Sequence, residues 1–340
     1  MTKTASLPKV VVPDDWPPVL ANSGAFHRLR EFAEVQYFET LPGSQEQLIE
    51  RIRHAKVAIN IRASSKFAKE VFQRCPYLRL VSIWGTGTDN IDLVAAERHG
   101  VTITNTPGVS AFSVAEHALA LMLAVARGIP SQDAATRGGG WPTGQGIELH
   151  GKTLGIIGLG AIGRRLAELG RAIGMHVIAW TVHPNQALGV ELVEFDQLLR
   201  SSDVISIHLR LSQQMEGIIG AREFRLMKNS AILVNTARGA LVEEGALVDA
   251  LLTKRIAGAG LDVFTMEPMP AGHALTTLPN VVLTPHSAGV TPEALEAGLQ
   301  LAVANVWNFL AGRPANVVVS AQRCAGGGGE RQRLTANGSI

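Results

Sequence analysis

The residues best suited to chemistry fall in three short segments: Asn235-Thr236-Ala237-Arg238-Gly239, then Gly260-Leu261-Asp262-Val263-Phe264 with Glu267-Pro268, then Thr284-Pro285-His286-Ser287-Ala288-Gly289. An arginine, a carboxylate and a histidine suit a reaction that adds hydride to a ketone carbon. The alkoxide so formed must take up a proton, and an imidazole titrating near neutrality can give that proton or recover it. His286 is the expected general acid, with Glu267 as the carboxylate that orients the ring and favours its protonated form. Arg238 carries a planar donor fork that grips a carboxylate at two points and polarises the neighbouring carbonyl, which the point charge of a lysine does less well. Any one of the three alone reads as an ordinary solvated or structural side chain. Their order after a phosphate-type loop sets them apart. His117, on an apolar helix, reads as a satisfied core or interface residue.

That loop is Gly158-Leu159-Gly160-Ala161-Ile162-Gly163. It follows an expected strand, Thr153 to Ile157, opens a helix to about Ala172 and precedes another strand, His176 to Trp180. This context turns a Gly-rich turn into a dinucleotide fingerprint. Gly158 makes the tight turn, Gly160 removes the side chain that would block a pyrophosphate, and Gly163 lets helix and strand pack closely. The phosphates are expected on free N–H groups at the helix start, among them those of Ala161 and Ile162. An acidic residue usually follows about twenty positions later to bind the ribose hydroxyls. Trp180-Thr181-Val182-His183 stands there instead, so Thr181 is the expected contact. With no carboxylate to repel a 2'-phosphate and no arginine to bind one, NAD is expected and NADP is possible. Thr236, Arg238 and His286 are further expected cofactor contacts, as is His208, at a strand end near the adenosine pocket.

Elements able to position these groups alternate along the chain. Lys9 to Val12, Val35 to Phe38, Val57 to Ile61, Leu80 to Trp84 and Val101 to Thr104 read as strands between helical patterns. After Asn105-Thr106-Pro107-Gly108, a capping box of Ser113 and Glu116 is expected to open an apolar helix to about Arg127. Strands resume at Thr153 to Ile157, His176 to Trp180, Val204 to Ile207, Ala231 to Asn235, Ala257 to Asp262 and Val281 to Leu283. A last helix runs from Pro292 to about Leu310, with Thr291 as N-cap and Gly312 as terminator. The fold class is α/β, with two Rossmann-like or flavodoxin-like parallel-sheet domains. Residues 107–289 form the dinucleotide-binding domain, inserted into a substrate domain of 1–106 and 290–320. Residues 321–340 lack apolar periodicity and are expected to be a disordered tail.

Composition narrows the partners. The 340 residues carry a formal net charge of +2 and 18% charged residues, so no strong field draws nucleic acid or an anionic membrane. Cys75 and Cys324 are isolated, which suits a reducing compartment and neither a disulfide framework nor a metal site. The longest apolar stretch, Ala118 to Ala126, is short of a bilayer span, and no signal-like apolar core opens the chain. A cytoplasmic enzyme with a small-molecule partner and no metal is expected.

Together with Gly85-Thr86-Gly87-Thr88-Asp89-Asn90-Ile91-Asp92 and Asn105-Thr106-Pro107-Gly108, these segments resemble the D-isomer-specific 2-hydroxyacid dehydrogenase family over about residues 55 to 317. The family includes phosphoglycerate dehydrogenase and the glyoxylate and hydroxypyruvate reductases. The resemblance implies an NAD(P)-dependent oxidoreductase acting on the CH-OH group of a small 2-hydroxy acid, or on the matching 2-oxo acid. It further implies that the backbone around Gly85, Thr86 and Gly87 binds the substrate carboxylate, that Asp262 contacts the nicotinamide carboxamide, and that the chain forms a homodimer over the apolar helix and the Trp141 arm. Two departures stand out. Arg210 replaces a common proline near the adenosine pocket and is a candidate for a 2'-phosphate, and Trp84 is expected to narrow the substrate pocket in favour of small acids. Formate oxidation needs no proton acceptor, so Glu267 argues against a formate dehydrogenase. Phosphonate oxidation would call for extra cations, and a dinucleotide-sensing corepressor would bind NADH without turnover.

Overall fold

Two parallel sheets, each covered by helices on both faces, account for the strands of residues 7–61, 64–184 and 189–320, the residues described by this computed structural model. The expected tail lies outside the described residues. The first sheet starts with β1 (Lys9–Val12), β2 (Glu34–Tyr37), β3 (Val57–Asn60), β4 (Leu80–Ile83) and β5 (Thr102–Thr104). The second is built from β6 (Thr153–Ile157), β7 (His176–Trp180), β8 (Glu191–Leu192), β9 (Val204–Ile207), β10 (Ile232–Asn235), β11 (Gly258–Leu261) and β12 (Val281–Leu283). The chain then returns to the first sheet, where β13 (Val317–Val319) pairs antiparallel with β5.

Strands buried on both faces read as unbroken apolar runs. β3, β4, β9 and β10 are buried at every position. Every strand expected from the sequence is present, displaced by no more than one residue at either end. The strands β8 and β13 are not among those expected.

Sheet order decides where a ligand can sit. The second sheet runs β12-β11-β10-β9-β6-β7-β8 and the first β13-β5-β4-β3-β1-β2. In the second, the chain winds outward from β6 to β8 and then crosses to β9, so the order reverses between β6 and β9. A crevice opens at the carboxyl ends of strands at such a reversal.

The helix Ala111–Arg127 covers one face of the second sheet, burying Ala115, Ala118, Leu121, Met122 and Ala126 against Leu154 and Ile156. Gly260 makes this close approach possible, because a Cβ there would press on Leu121. Only this face of the apolar helix is covered by its own chain; Phe112 on the helix, and Ile129 and Trp141 after it, remain exposed. One expectation is corrected here: Ser113 and Glu116 do not form a capping box, since the turn at Pro107-Gly108 starts the helix earlier, with Ser110 as N-cap. The Ser113 hydroxyl instead bonds that of Thr291 at 2.9 Å, tying together the two crossings between the sheets.

The helix Pro292–Leu310 has the expected ends: the Thr291 hydroxyl accepts from the N–H of Ala294 at 3.2 Å, and Gly312 follows with φ of 77°. Its buried face, Leu299, Ala302, Val303 and Val306, packs on the first sheet. Trp84 belongs to that packing. A Cβ at Gly298 would overlap the indole, whose Nε1 donates to the carbonyl of Leu295 at 3.3 Å. The expectation that Trp84 narrows a substrate pocket is therefore corrected, because the space left by Gly298 draws the ring onto the helix.

Candidate active site

The carboxyl ends of β6, β9, β10, β11 and β12 lie side by side, and each delivers a residue singled out above. The 158–163 loop follows β6. Gly158 has φ of 98°, a left-handed conformation that disfavours side chains, and a Cβ there would run into the carbonyl of His208. A Cβ on Gly163 would overlap the carbonyl of Gly158, so the helix Ala161–Ala172 meets the strand only because that atom is missing. Gly160 differs, since the space its Cβ would enter is open. The first helical backbone bond of this turn runs from the N–H of Arg164 to the carbonyl of Gly160, and the N–H groups of Ala161, Ile162 and Gly163 have no acceptor among the described residues at the positive end of the helix.

His208 follows β9. Burial pushes its pKa down to about 4, so the ring is neutral. Nε2 pairs with the Ser206 hydroxyl at 2.9 Å, whereas Nδ1 is buried without a partner among the described residues. After β10, the Thr236 hydroxyl is likewise buried and unpaired. An orphaned buried polar group costs about 1–3 kcal/mol. Two of them, next to an open Gly160 and free helix-start amides, fit a dinucleotide lying along this edge.

Glu267 and His286 meet beyond β11 and β12. His286 Nδ1 lies 2.7 Å from Glu267 Oε2, and Glu267 Oε1 accepts from the N–H of Phe264 at 2.9 Å. Burial alone would raise the Glu267 carboxyl. The hydrogen bonds from His286 and Phe264, with the charges of His286 and Arg238, outweigh it and hold the group below its usual range. The carboxylate is thus ionised at neutral pH and fixes a proton on Nδ1. Nε2 has no partner among the described residues, and both side chains are about a third exposed (39% and 35%).

His286 itself is held in an uncommon conformation, φ of 52°, which is left-handed for a residue with a side chain. Asp262 accounts for it. Its carbonyl accepts from the N–H of His286 at 2.7 Å, and its carboxylate takes the N–H groups of Ser287 and Ala288, each at 2.9 Å, and the Thr284 hydroxyl at 2.6 Å. Burial would raise this carboxyl too, but bonds from His117, Thr284, Ala288 and Ser287 bring it below its usual range. The side chain is 1% exposed. Asp262, expected beside the carboxamide, is enclosed by its own chain and supports the turn that presents His286.

His117 joins the same support, 2.9 Å from the Thr284 hydroxyl and 3.5 Å from Asp262. Sequence reading gave it no part in the site. Its signal was a polar ring on the face of an apolar helix that packs on β11 and β12.

Arg238 closes the site from the other side. Nε donates to Asp89 Oδ2 at 2.6 Å and Nη1 to the carbonyl of Ala237 at 2.7 Å, while Nη2 lies where a Cβ on Gly87 would be. The Gly85 loop that receives it is pinned: the N–H of Gly85 donates to the Thr106 hydroxyl at 2.6 Å, and Asn105 donates to the carbonyl of Thr86 at 3.0 Å. The N–H groups of Thr86 and Gly87 find no acceptor among the described residues. Asp89, like His117, is a site residue that the sequence alone does not single out. No group of three or more candidate metal ligands occurs among the described residues, and no single helix there is long and apolar enough to cross a membrane.

A dinucleotide crevice with a carboxylate-held histidine and an arginine at its mouth defines a nicotinamide-dependent oxidoreductase. The model of the D-isomer specific 2-hydroxyacid dehydrogenase NAD binding domain matches residues 119–288. A glyoxylate reductase of Aeropyrum pernix is 40% identical over 309 residues, 86% of this chain and 92% of that protein. A D-3-phosphoglycerate dehydrogenase of Archaeoglobus fulgidus is 41% identical over 284 residues, 82% of this chain, but the match spans only 54% of that longer protein. Among solved structures, an acyclic imino acid reductase in complex with NADPH and D-Arg superposes with a TM-score of 0.84 at 32% identity, covering 92% of this chain and 100% of that one. The chain belongs to the D-isomer specific 2-hydroxyacid dehydrogenase family. Its cofactor class is NAD(P).

Proposed function

We infer that this chain reduces a small 2-oxo acid, of the size of glyoxylate or hydroxypyruvate, to the D-2-hydroxy acid, and can run the reverse oxidation. The observation that carries the reading is the Glu267–His286 pair at 2.7 Å, with Nε2 left free at the mouth of the crevice. Gly158, Gly160, Ala161, Ile162, Gly163, Thr181, His208 and Thr236 hold the dinucleotide, which supplies or accepts the hydride. Thr181 and the exposed Arg210 stand where the 2' group is read, and neither repels a phosphate, so NADP serves as a second cofactor beside NAD.

Arg238 and the N–H groups of Thr86 and Gly87 bind the substrate carboxylate, which places the ketone oxygen beside His286 Nε2. The imidazolium donates its proton from that atom as the alkoxide develops, and Glu267 steadies the charge on the ring throughout. Oxidation reverses each step. Closure of the two domains over the substrate removes water from the reacting carbon.

Following NADH and NADPH absorbance against glyoxylate, hydroxypyruvate, pyruvate and bulkier 2-oxo acids tests this. Oxidation of the cofactor by a small acid is expected, with His286→Ala losing about 10²- to 10⁴-fold in kcat while still binding NADH. Tight NADH binding without turnover of any acid would favour a sensing protein.

The chain is further proposed to act as a homodimer in the cytoplasm, without nucleic acid or membrane partners. The helix Ile129–Arg137 buries no residue within its own chain, and the following arm leaves Trp141 86% exposed. Phe112 and Ile129 are exposed as well, and exposed large apolar side chains in one stretch of chain support an interface. Light scattering giving the mass of a single chain would rule the dimer out.

A further inference from the structure

We propose that Asp89 is a positioning residue, aiming the Arg238 guanidinium at the substrate carboxylate from the opposite domain. This rests on the reading of Arg238 given above. Residues 89 and 238 are 149 apart in sequence, one in the loop after β4 and the other after β10. Among the described residues, theirs is the ion pair that joins the two domains.

An arginine side chain is long and rich in rotamers, and one that must meet a small carboxylate in a fixed pose has to be ordered beforehand. Three contacts do this. The Ala237 carbonyl holds Nη1 from within the same domain, Asp89 holds Nε from across the cleft, and Gly87, lacking a Cβ, leaves Nη2 room against the substrate loop. The Nε bond turns the plane of the guanidinium. With Nε on Asp89, the Nη1 and Nη2 edge remains as the fork for a second carboxylate, beside the unpaired N–H groups of Thr86 and Gly87.

A stabilising role explains the pair less well. The two side chains are 30% and 34% exposed, and a pair so wetted contributes little to folding. Asp89 also has no other hydrogen bond to fix it among the described residues, in contrast to Glu267, which the N–H of Phe264 anchors. Its carboxylate is ordered by the arginine it orders, so the pair forms fully only when the domains come into register.

Two substitutions separate charge from aim. Asp89→Asn keeps an oxygen that accepts from Nε, and Asp89→Leu keeps size but no acceptor. The measurements are KM and kcat for the best 2-oxo acid and the Kd of oxamate, an isosteric carboxylate, on the NADH complex. Asp89→Leu is expected to raise KM and the oxamate Kd about tenfold or more, with a smaller fall in kcat and no change in NADH affinity. Asp89→Asn should stay within about threefold of wild type in both, since the acceptor survives. The proposal is overturned if Asp89→Leu leaves KM and Kd unchanged, or lowers them, as it would were Asp89 merely a competitor for the arginine. Parallel loss of NADH affinity would also overturn it, by showing general damage to the cleft. If the wild-type protein reduces no 2-oxo acid and binds no oxamate, the substrate reading fails, and Asp89 is then judged by crystal structures of both proteins. A guanidinium still seated over Gly87 in Asp89→Leu would sink the proposal, and one swung away would sustain it.

Discussion

The two halves of the cleft are built in different ways. The cofactor half lies in one domain, from a single strand, turn and helix at 153–172 plus neighbouring strand ends, and its shape is fixed by backbone contacts such as that between Gly158 and His208. The half proposed for the substrate is assembled by two domains, where Arg238 meets Gly87 and Asp89. The first is rigid because strands and helix are already packed around it. The second exists only to the extent that the domains are held together, so it can respond to a substrate. On the proposed assignment, specificity for the acid is a property of domain register, and affinity for the dinucleotide is not.

The largest effects that could break this contrast come from two glycines three residues apart. Gly160 has φ of −77°, which any residue adopts, and open space at its missing Cβ. Gly160→Val is therefore expected to fold normally while losing NADH affinity by about a hundredfold or more, since the branched side chain fills the room left for the pyrophosphate. Gly163→Ala puts an atom into the Gly158 carbonyl, and relieving the overlap costs about 1–3 kcal/mol of stability. NADH titrations and thermal melts on both variants check this. Gly160→Val that melts early but binds NADH would show that the cofactor half is not the preformed site described.

The same contrast explains what could be read from the chain. The phosphate loop was legible because all its parts fall within a few residues, and so do the demands on them: a turn, an approach and a close packing. Arg238, Glu267 and His286 were legible as residue types at strand ends, since a parallel sheet must present its carboxyl ends together. Contacts between distant segments were not. Trp84 sits beside Gly85 in sequence, yet its direction is set by Gly298 on a helix more than two hundred residues later. Nothing local to Asp262 reveals that Thr284, Ser287 and Ala288 enclose it. Asp89 acquires a partner only once the domains meet. Ser113 and Glu116 matched a capping pattern, but the preceding Pro107-Gly108 turn had already begun the helix. Local chemistry was visible, and pairing at long range required the fold.

A smaller effect sharpens the comparison from the proton side. Glu267→Gln replaces the carboxylate under His286 with an amide of the same shape, leaving Arg238, Asp89 and the Gly85 loop untouched. It is expected to lower kcat about ten- to a hundredfold with little change in KM, the opposite split from Asp89→Leu. Stability should report the same group. Glu267 is held below its usual range in the folded protein, so its ionised form contributes stability above the unfolded value, and that contribution is lost as pH falls through the folded one. The variant has no such group to titrate. Melting temperatures of wild type and Glu267→Gln should therefore differ most near neutral pH and converge in acid, while Asp262, also held low, affects both proteins alike. A constant gap at every pH would mean that the loss comes from packing, and a KM rising with the fall in kcat would mean that the proton and carboxylate halves are one unit.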